Sequence, residues 1–335
     1  MSLLEFHYRN VLRMLPASYR AEREEEMVAA YLEYAGDVPD EVNPRPRWGE
    51  VFSVMGLALR VRLAGASGPP VYFAWGETVR MIALFGLALQ AMLSAPSLPF
   101  LPRMSENEQF FGAPGSADRL FNIGEVLLHN LWLVAYVALA RGAVRTARTA
   151  AVLVFGWSFL VPLVSGWRAM DAWSTGYVLL SAAPVLALLL GYHRDAPPPR
   201  RSWWVAVLPP AIAAAAVYAA NRYMAGRAAA GETTTLQSFA IWTDTFSIIV
   251  IALVAVAAAA LTLRAGAPAL LGLAFYAMVS LLARVPDLYH YHGGDEEIWQ
   301  VAALQCWVLG GLTLILAVVG VWRLPIHRRL QERSV

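Results

Sequence analysis

Polar side chains interrupt the long apolar runs of this sequence at a few positions. They are two acids, a histidine, an arginine and a glutamine: Glu125, His129, Asp244, Arg284 and Gln305. A charged group among apolar residues is costly unless it is paired or solvated, so each of these side chains is a functional candidate. The set suits two kinds of chemistry. One is a guanidinium–carboxylate pair that only holds helices together, and the other is a polar cavity that binds a ligand, a metal ion or protons.

The partner of Arg284 distinguishes these two interpretations. The candidate carboxylates are those of Asp244, Glu125 and Asp287. We favour Asp244, because the apolar run that contains it enters the membrane at about the same depth as Arg284. Glu125 and His129 share one helix face because they are four residues apart. In the structural interpretation these two side chains hydrogen-bond within the bundle. In the functional interpretation the polar candidates line one outward-facing cavity.

The stretch DLYHYHGGDEE, residues 287–297, is a candidate metal site. His290 and His292 are two residues apart, a spacing that suits metal ligands on a strand or turn but places them on different faces of a helix. A metal site needs three or four convergent ligands, and Asp287 is a local acid that can join the histidines. No HExxH or CxxC pattern supports such a site. A divalent metal or proton site and an ordinary hydrated loop therefore both stay open, and no other cofactor is predicted.

The elements that must position these groups are membrane helices. The chain is 58% hydrophobic and 15% charged, with a mean hydropathy of +0.50, whereas soluble proteins carry about 25% charged residues. Its apolar runs of roughly twenty residues match the ~30 Å hydrocarbon core of a bilayer. We therefore predict an all-α, polytopic membrane helix bundle. The formal net charge of +2 is too small to indicate a nucleic-acid partner.

About eight spans are predicted within residues 74–321. Their bounds are 74–95, 122–140, 150–166, 174–191, 203–220, 240–262, 268–285 and 299–321. With the N-terminus in the cytoplasm, most of the loop arginines fall on the inside, and this bias sets orientation. Both termini are therefore predicted on the cytoplasmic side of a bacterial plasma membrane, with residues 322–335 as a basic cytoplasmic tail.

Residues 1–66 are predicted to form a small cytoplasmic module of three helices. The first helix, in LLEFHYRNVLRML, ends at Pro16. The second begins at a Ser18 cap and ends at Gly36. The third, WGEVFSVMGLALRVRLAG, packs on the first two or lies at the membrane surface.

Two segments of this module carry a resemblance. YRNVLRMLPASYRAEREEEM, followed by GLALRVRLAG, resembles the N-terminal segment of actinobacterial integral-membrane proteins with a HAAS-like, or permease-prefix-like, helical module. Modules of this kind precede membrane domains and are often associated with PadR-type regulators. The resemblance covers about a fifth of the chain. It implies a cytoplasmic interaction module and carries no catalytic residue.

Three functions are compatible with these features. The preferred one is a non-enzymatic plasma-membrane protein whose module binds a regulatory or assembly partner. The second is a transporter or permease component with an outward-facing polar cavity, and the third is an intramembrane enzyme that acts near the outer leaflet on a lipid-like substrate. The sequence has no GxxxxGK[ST] phosphate loop and no GxSxG elbow. A deep cavity would favour the second or third function, and helices sealed by aliphatic side chains would favour the first.

Overall fold

A computed structural model describes most of the chain. The described residues are 2–36, 45–63, 70–98, 108–165, 172–193, 201–231, 244–290 and 296–324, without the side chains of 109–110, 161–165, 172–175 and His290. Helix accounts for 88% of them, and none lies in a strand. The all-α fold class is confirmed. A helix suits an apolar chain because it satisfies every backbone hydrogen bond within its own segment.

Thirteen helices follow one another in the described residues. They are α1 (Leu3–Leu12), α2 (Ala17–Ala35), α3 (Trp48–Arg62), α4 (Pro70–Ser94), α5 (Glu108–Phe111), α6 (Ala117–His129), α7 (Leu131–Ala140), α8 (Val144–Ser165), α9 (Ala172–Gly191), α10 (Trp203–Ala229), α11 (Thr245–Thr262), α12 (Ala267–His290) and α13 (Glu296–Trp322).

Six stretches of the described chain are helical, long and apolar enough to cross a bilayer. They are Pro70–Leu98, Ala117–Ala140, Trp203–Ala229, Thr245–Thr262, Ala267–Tyr289 and Glu296–Trp322. These stretches fit an integral membrane protein. The predicted spans 150–166 and 174–191 correspond to α8 and α9. Within α9, the stretch Gly176–Gly191 is apolar but shorter than the six stretches above.

The chain divides into two compact units, and the first contains residues 1–77 and 193–197. Its core brings together all three of its first helices, with Leu12 of α1, Val28 of α2 and Val54 of α3 all buried. The rings of Tyr8 and Tyr31 stack with their centres 3.9 Å apart. The Ser18 cap is wrong: α2 begins at Ala17, with Pro16 in the capping position. Proline suits that position because it has no N–H that needs a partner.

The second unit contains residues 78–192 and 198–335. Its helices approach one another closely where one of them carries a glycine. Gly191 of α9 lies against Val79 and Arg80 of α4, and Gly176 of α9 lies against Ala283 of α12. Small residues allow such contacts between membrane helices, where lipid offers no hydrophobic drive for association.

Two helix boundaries differ from the prediction. The predicted span 122–140 is divided at Asn130 into α6 and α7, and the Asn130 Nδ2 group donates to the Val126 carbonyl and to Ser97 Oγ, both at 2.8 Å. The predicted span 268–285 does not end beside Arg284, because α12 continues through Pro286 to His290. Asp287 is therefore a helical residue, and the prediction that places it in a loop is wrong.

The packing of Gly86 gives a testable prediction. A methyl group at this position of α4 would meet the Tyr276 hydroxyl of α12 and Pro184 of α9. We expect Gly86→Ala to destabilise the detergent-solubilised protein by about 1–3 kcal/mol, because overpacking forces buried neighbours to shift. Thermal unfolding followed by circular dichroism measures the loss.

Gly311→Ala in α13 is the matched control. No neighbouring atom lies within 4 Å of its added methyl group. It should keep the wild-type melting temperature or raise it slightly, since alanine favours helix more than glycine does. Equal effects of the two substitutions would contradict a packing role for Gly86.

Candidate functional site

Arg284 on α12 forms the centre of a buried charge cluster. Its side chain is 5% exposed, and its Nη1 group donates to Asp287 Oδ2 at 2.7 Å. Its Nη2 group lies 3.4 Å from Asp244 Oδ2. The guanidinium carbon also lies 4.9 Å from the centre of the Phe246 ring. The predicted contact with Asp244 is confirmed, although the nearer carboxylate belongs to Asp287, three residues further along the same helix.

Asp244 takes part in the cluster because of its place at the start of α11. It is the N-cap of this helix, and its Oδ1 accepts a hydrogen bond from the Ser247 backbone N–H at 2.7 Å. One carboxylate oxygen thus caps a helix while the other faces Arg284. The first backbone N–H groups of the helix and the guanidinium thus meet the same carboxylate. Asp244 marks the beginning of the helix, whereas the predicted span 240–262 placed it inside.

Gln305 extends this cluster to a third helix. Its side chain is buried, and its Nε2 group donates to Ser247 Oγ at 2.7 Å. The first turn of α11 is therefore joined to α12 through Asp244 and to α13 through Ser247. Sequence reasoning missed Ser247. The N-cap pattern at Asp244 indicates a bond to the Ser247 backbone N–H, but it carries no signal for the contact that the Ser247 hydroxyl makes with Gln305.

Glu125 and His129 lie apart from this cluster. Glu125 is exposed, and the carboxylates that meet Arg284 are those of Asp244 and Asp287. The Nδ1 atom of His129 lies 3.3 Å from the Tyr177 hydroxyl of α9. The structure therefore brings Asp244, Arg284 and Gln305 together and leaves Glu125 outside.

A small pocket separates the Arg284 cluster from the contact between His129 and Tyr177. It is lined by Leu93, Tyr177, Leu180, Thr245, Phe246 and Ile249. Pockets that enclose small-molecule ligands offer a few convergent polar groups. This pocket leaves room for about one water molecule, and its lining is largely apolar. It does not suit a hydrated or charged substrate.

A second buried polar contact joins α4 to α9. The Nε2 group of Gln90, near the end of α4, donates to Ser181 Oγ at 3.1 Å, and both side chains are fully buried. Sequence reasoning missed this contact too. The glutamine inside the apolar run FGLALQAML was the available signal, because a buried amide among apolar neighbours needs a partner.

The metal hypothesis concerns Asp287, His290 and His292. Asp287 is engaged by Arg284, which competes with a metal ion for the carboxylate. The side chain of His290 and the whole of His292 lie outside the described residues. Among the side chains that the structure does describe, no three histidines, cysteines or acids come together as metal ligands. A metal at the histidines stays a prediction.

Arg284 and its two carboxylates give a second testable prediction. Arg284→Ala leaves Asp287 buried without its partner, so we expect a loss of about 3–5 kcal/mol in the free energy of unfolding. Asp287→Asn should cost much less in the Arg284→Ala background than in the wild type, with a coupling of about 1–3 kcal/mol. Asp244→Asn should couple more weakly, because its carboxylate is 34% exposed and an asparagine oxygen keeps the helix cap.

Asp118→Asn is the control for this double-mutant cycle. Asp118 is an exposed acid in the first turn of α6, remote from Arg284 along the chain. Its effect should simply add to that of Arg284→Ala. Chemical denaturation in detergent measures all the variants, and strict additivity for Asp287 and Asp244 would contradict the buried ion pair.

Comparison with known proteins adds no relative to this picture. No protein family, no curated protein and no solved structure matches this chain. The geometry of its own residues therefore carries the functional argument.

Proposed function

We propose that this chain is a non-enzymatic plasma-membrane protein that binds a cytoplasmic regulatory or assembly partner through residues 1–66. One observation carries the proposal: each charged or amide side chain of the Arg284 cluster has a polar partner inside the cluster, although Arg284 Nε and Gln305 Oε1 are buried without a hydrogen-bond partner in the described part of the chain. Arg284 meets Asp287 and Asp244, and Gln305 meets Ser247. Side chains with such partners stabilise a helix bundle without acting on a substrate.

The pocket geometry favours this function over transport or catalysis. A transporter needs polar groups around a space that admits its substrate, and an enzyme needs an acid, base or nucleophile within hydrogen-bonding distance of it. The pocket beside Phe246 and Tyr177 leaves room for about one water molecule and has a largely apolar lining. Asp244, the acid nearest to this pocket along the chain, already caps α11.

The first unit offers an acidic surface that suits a protein partner. Glu22, Glu26 and Glu33 are exposed on α2, and Tyr34 beside them is 74% exposed. Acidic groups around an exposed aromatic side chain favour a partner with a basic surface. Because α1, α2 and α3 share their own core, this surface does not depend on a partner for its helical structure.

Eight membrane spans are part of the proposal, with both termini in the cytoplasm. Gly191 of α9 packs beside Arg80 of α4, and Ser181 bonds Gln90, so α9 runs antiparallel to α4 over about 15 Å. This pairing supports α9 as a membrane span. Since α6 and α7 also return from the far end of α4, α8 must cross between them and α9.

Hydrogen bonds between helix ends support the same topology. Arg148, near the start of α8, donates to the carbonyl of Tyr192, just after α9. The backbone N–H of Arg201, before α10, donates to the carbonyl of Ala140 at the end of α7 at 2.8 Å. These contacts place each pair of ends on one side of the bundle. That side carries Arg141, Arg145 and Arg148, and by the positive-inside rule these arginines support its assignment to the cytoplasm.

Cysteine labelling tests the eight spans. In a Cys306→Ser background, a membrane-impermeant maleimide added to intact cells should label Ala113→Cys and Ala169→Cys. It should leave Ala143→Cys and Ala196→Cys unlabelled until the membrane is permeabilised. Labelling of Ala196→Cys from outside would overturn the topology, and protection of Ala169→Cys would leave only six spans.

The partner proposal is tested by pull-down from the native membrane. Deletion of residues 2–36 and the charge reversal Glu22→Arg/Glu26→Arg/Glu33→Arg should both lose the same co-purifying protein, while membrane insertion is kept. Asp118→Arg, an exposed reversal in the second unit, should retain it. If the deletion variant and the charge reversal keep every partner of the wild type, α1 and the acidic surface of α2 do not bind the partner, and the proposal fails.

A further inference from the structure

Helix α3 has two apolar faces, and only one of them is covered. Val54 and Ala58 are 3% and 2% exposed in the core with α1 and α2. The other face is formed by Trp48, Phe52, Met55 and Leu59, which are 77%, 59%, 40% and 43% exposed. At 100° per residue these four positions fall within roughly a sixth of the helix circumference. We call them the α3 stripe.

The composition of the α3 stripe suits a lipid interface. The rings of Trp48 and Phe52 lie side by side, with centres 6.2 Å apart. Tryptophan prefers the boundary between headgroups and acyl chains, where its ring is apolar and its N–H can meet water. A contiguous exposed apolar patch with large aromatic side chains is rare on a surface that meets only water.

The charges of α3 suit anionic headgroups. Arg60 and Arg62 lie in its last turn, and Arg47 is its N-cap. Glu50 is the acid of the helix, in its first turn. Basic residues on an amphipathic helix attract anionic phospholipids and hold the helix in the plane of the bilayer. The acidic exposed face of α2 has the opposite character and would be repelled by such a surface.

The short linker between α3 and α4 limits how far α3 can lie from the membrane. Only seven residues separate Arg62 from Pro70, where α4 begins, and seven residues span at most about 25 Å. Pro70 also begins a stretch that is long and apolar enough to cross a bilayer. The Nε2 group of His193 donates to the carbonyl of Leu63 at 3.1 Å, a contact within the first unit.

We propose that the α3 stripe inserts into the boundary between headgroups and acyl chains of the protein's own bilayer. Arg60, Arg62 and Arg47 contact the phosphates of anionic lipids, and α3 lies in the membrane plane. Its Val54 face carries α1 and α2 on the aqueous side. The occupant of the stripe is therefore an anionic lipid surface. This docking goes beyond the partner binding proposed for α2, because it uses a different helix and a different ligand.

Site-directed fluorescence tests the docking in the full-length protein. Single cysteines are placed in a Cys306→Ser background at Phe52 or Met55 of the stripe, and at Ala29 on the exposed face of α2. Each variant is labelled with an environment-sensitive dye. It is then reconstituted at one copy per nanodisc in phosphatidylcholine, with or without phosphatidylglycerol.

With phosphatidylglycerol present, the emission maximum of the dye at Phe52→Cys and at Met55→Cys should shift to shorter wavelength. Its fluorescence should resist a water-soluble quencher and should be quenched by brominated acyl chains. The dye at Ala29→Cys should stay in water in both bilayers. Water exposure of the dyes at all three positions in both bilayers overturns the proposal. Shielding that appears only when two copies share a disc overturns it too, because a second chain would then be the occupant of the stripe.

Arginine variants test the charge contribution separately. Arg60→Gln/Arg62→Gln should remove most of the difference between the two bilayers, while thermal unfolding in detergent stays as in the wild type, because neither side chain belongs to the core of the first unit. A lipid response that survives this substitution, or equal shielding in both bilayers of the unsubstituted protein, overturns the assignment of anionic lipid. These outcomes are independent of the pull-down, since that experiment reports on α2.

Discussion

The buried positive charge of Arg284 constrains how three membrane helices meet. A guanidinium in a low-dielectric environment is tolerated only with a carboxylate nearby, and here Asp287 comes from the same helix and Asp244 from the cap of α11. The Asp244 side chain therefore links the start of α11 to α12. Through Ser247 and Gln305 the same turn of α11 is linked to α13. Sliding any of the three helices along its axis would leave a buried polar group without its partner, so the cluster defines the register.

Elsewhere in the second unit, neutral polar contacts also fix how helices meet, and each contributes less free energy than a buried ion pair. Gln90 and Ser181 set α4 against α9, and glycines at 86 and 191 allow the two backbones to approach. Lipid tails are as apolar as the side chains of these helices, so close packing and a few hydrogen bonds must supply the specificity that the hydrophobic effect provides in water. Polar side chains inside an apolar bundle are therefore explained by packing before a substrate is invoked.

The first unit presents surfaces of different chemistry on α2 and α3. The exposed face of α2 is acidic, whereas the α3 stripe is aromatic and flanked by arginines. Both helices still contribute to one core, in which Tyr8 and Tyr31 stack. A module with such a division can hold a membrane with one surface and offer another to a protein partner. The bond between His193 and the Leu63 carbonyl lies within this unit and joins the end of α3 to its second chain segment.

The sequence by itself determined the helical class, the membrane character and most of the helices, because hydropathy and helical periodicity are local properties of the chain. It also identified Arg284 and Asp244 as partners, since few charges interrupt the apolar runs. The tertiary structure decided the rest. The predicted span ended at residue 285, yet α12 runs on to His290, and this continuation places Asp287 one turn after Arg284 on the same helix. The contacts of Gln305 with Ser247 and of Gln90 with Ser181 join residues 58 and 91 positions apart. Such pairs depend on the relative rotation and register of whole helices, and no local pattern in the chain encodes those two quantities.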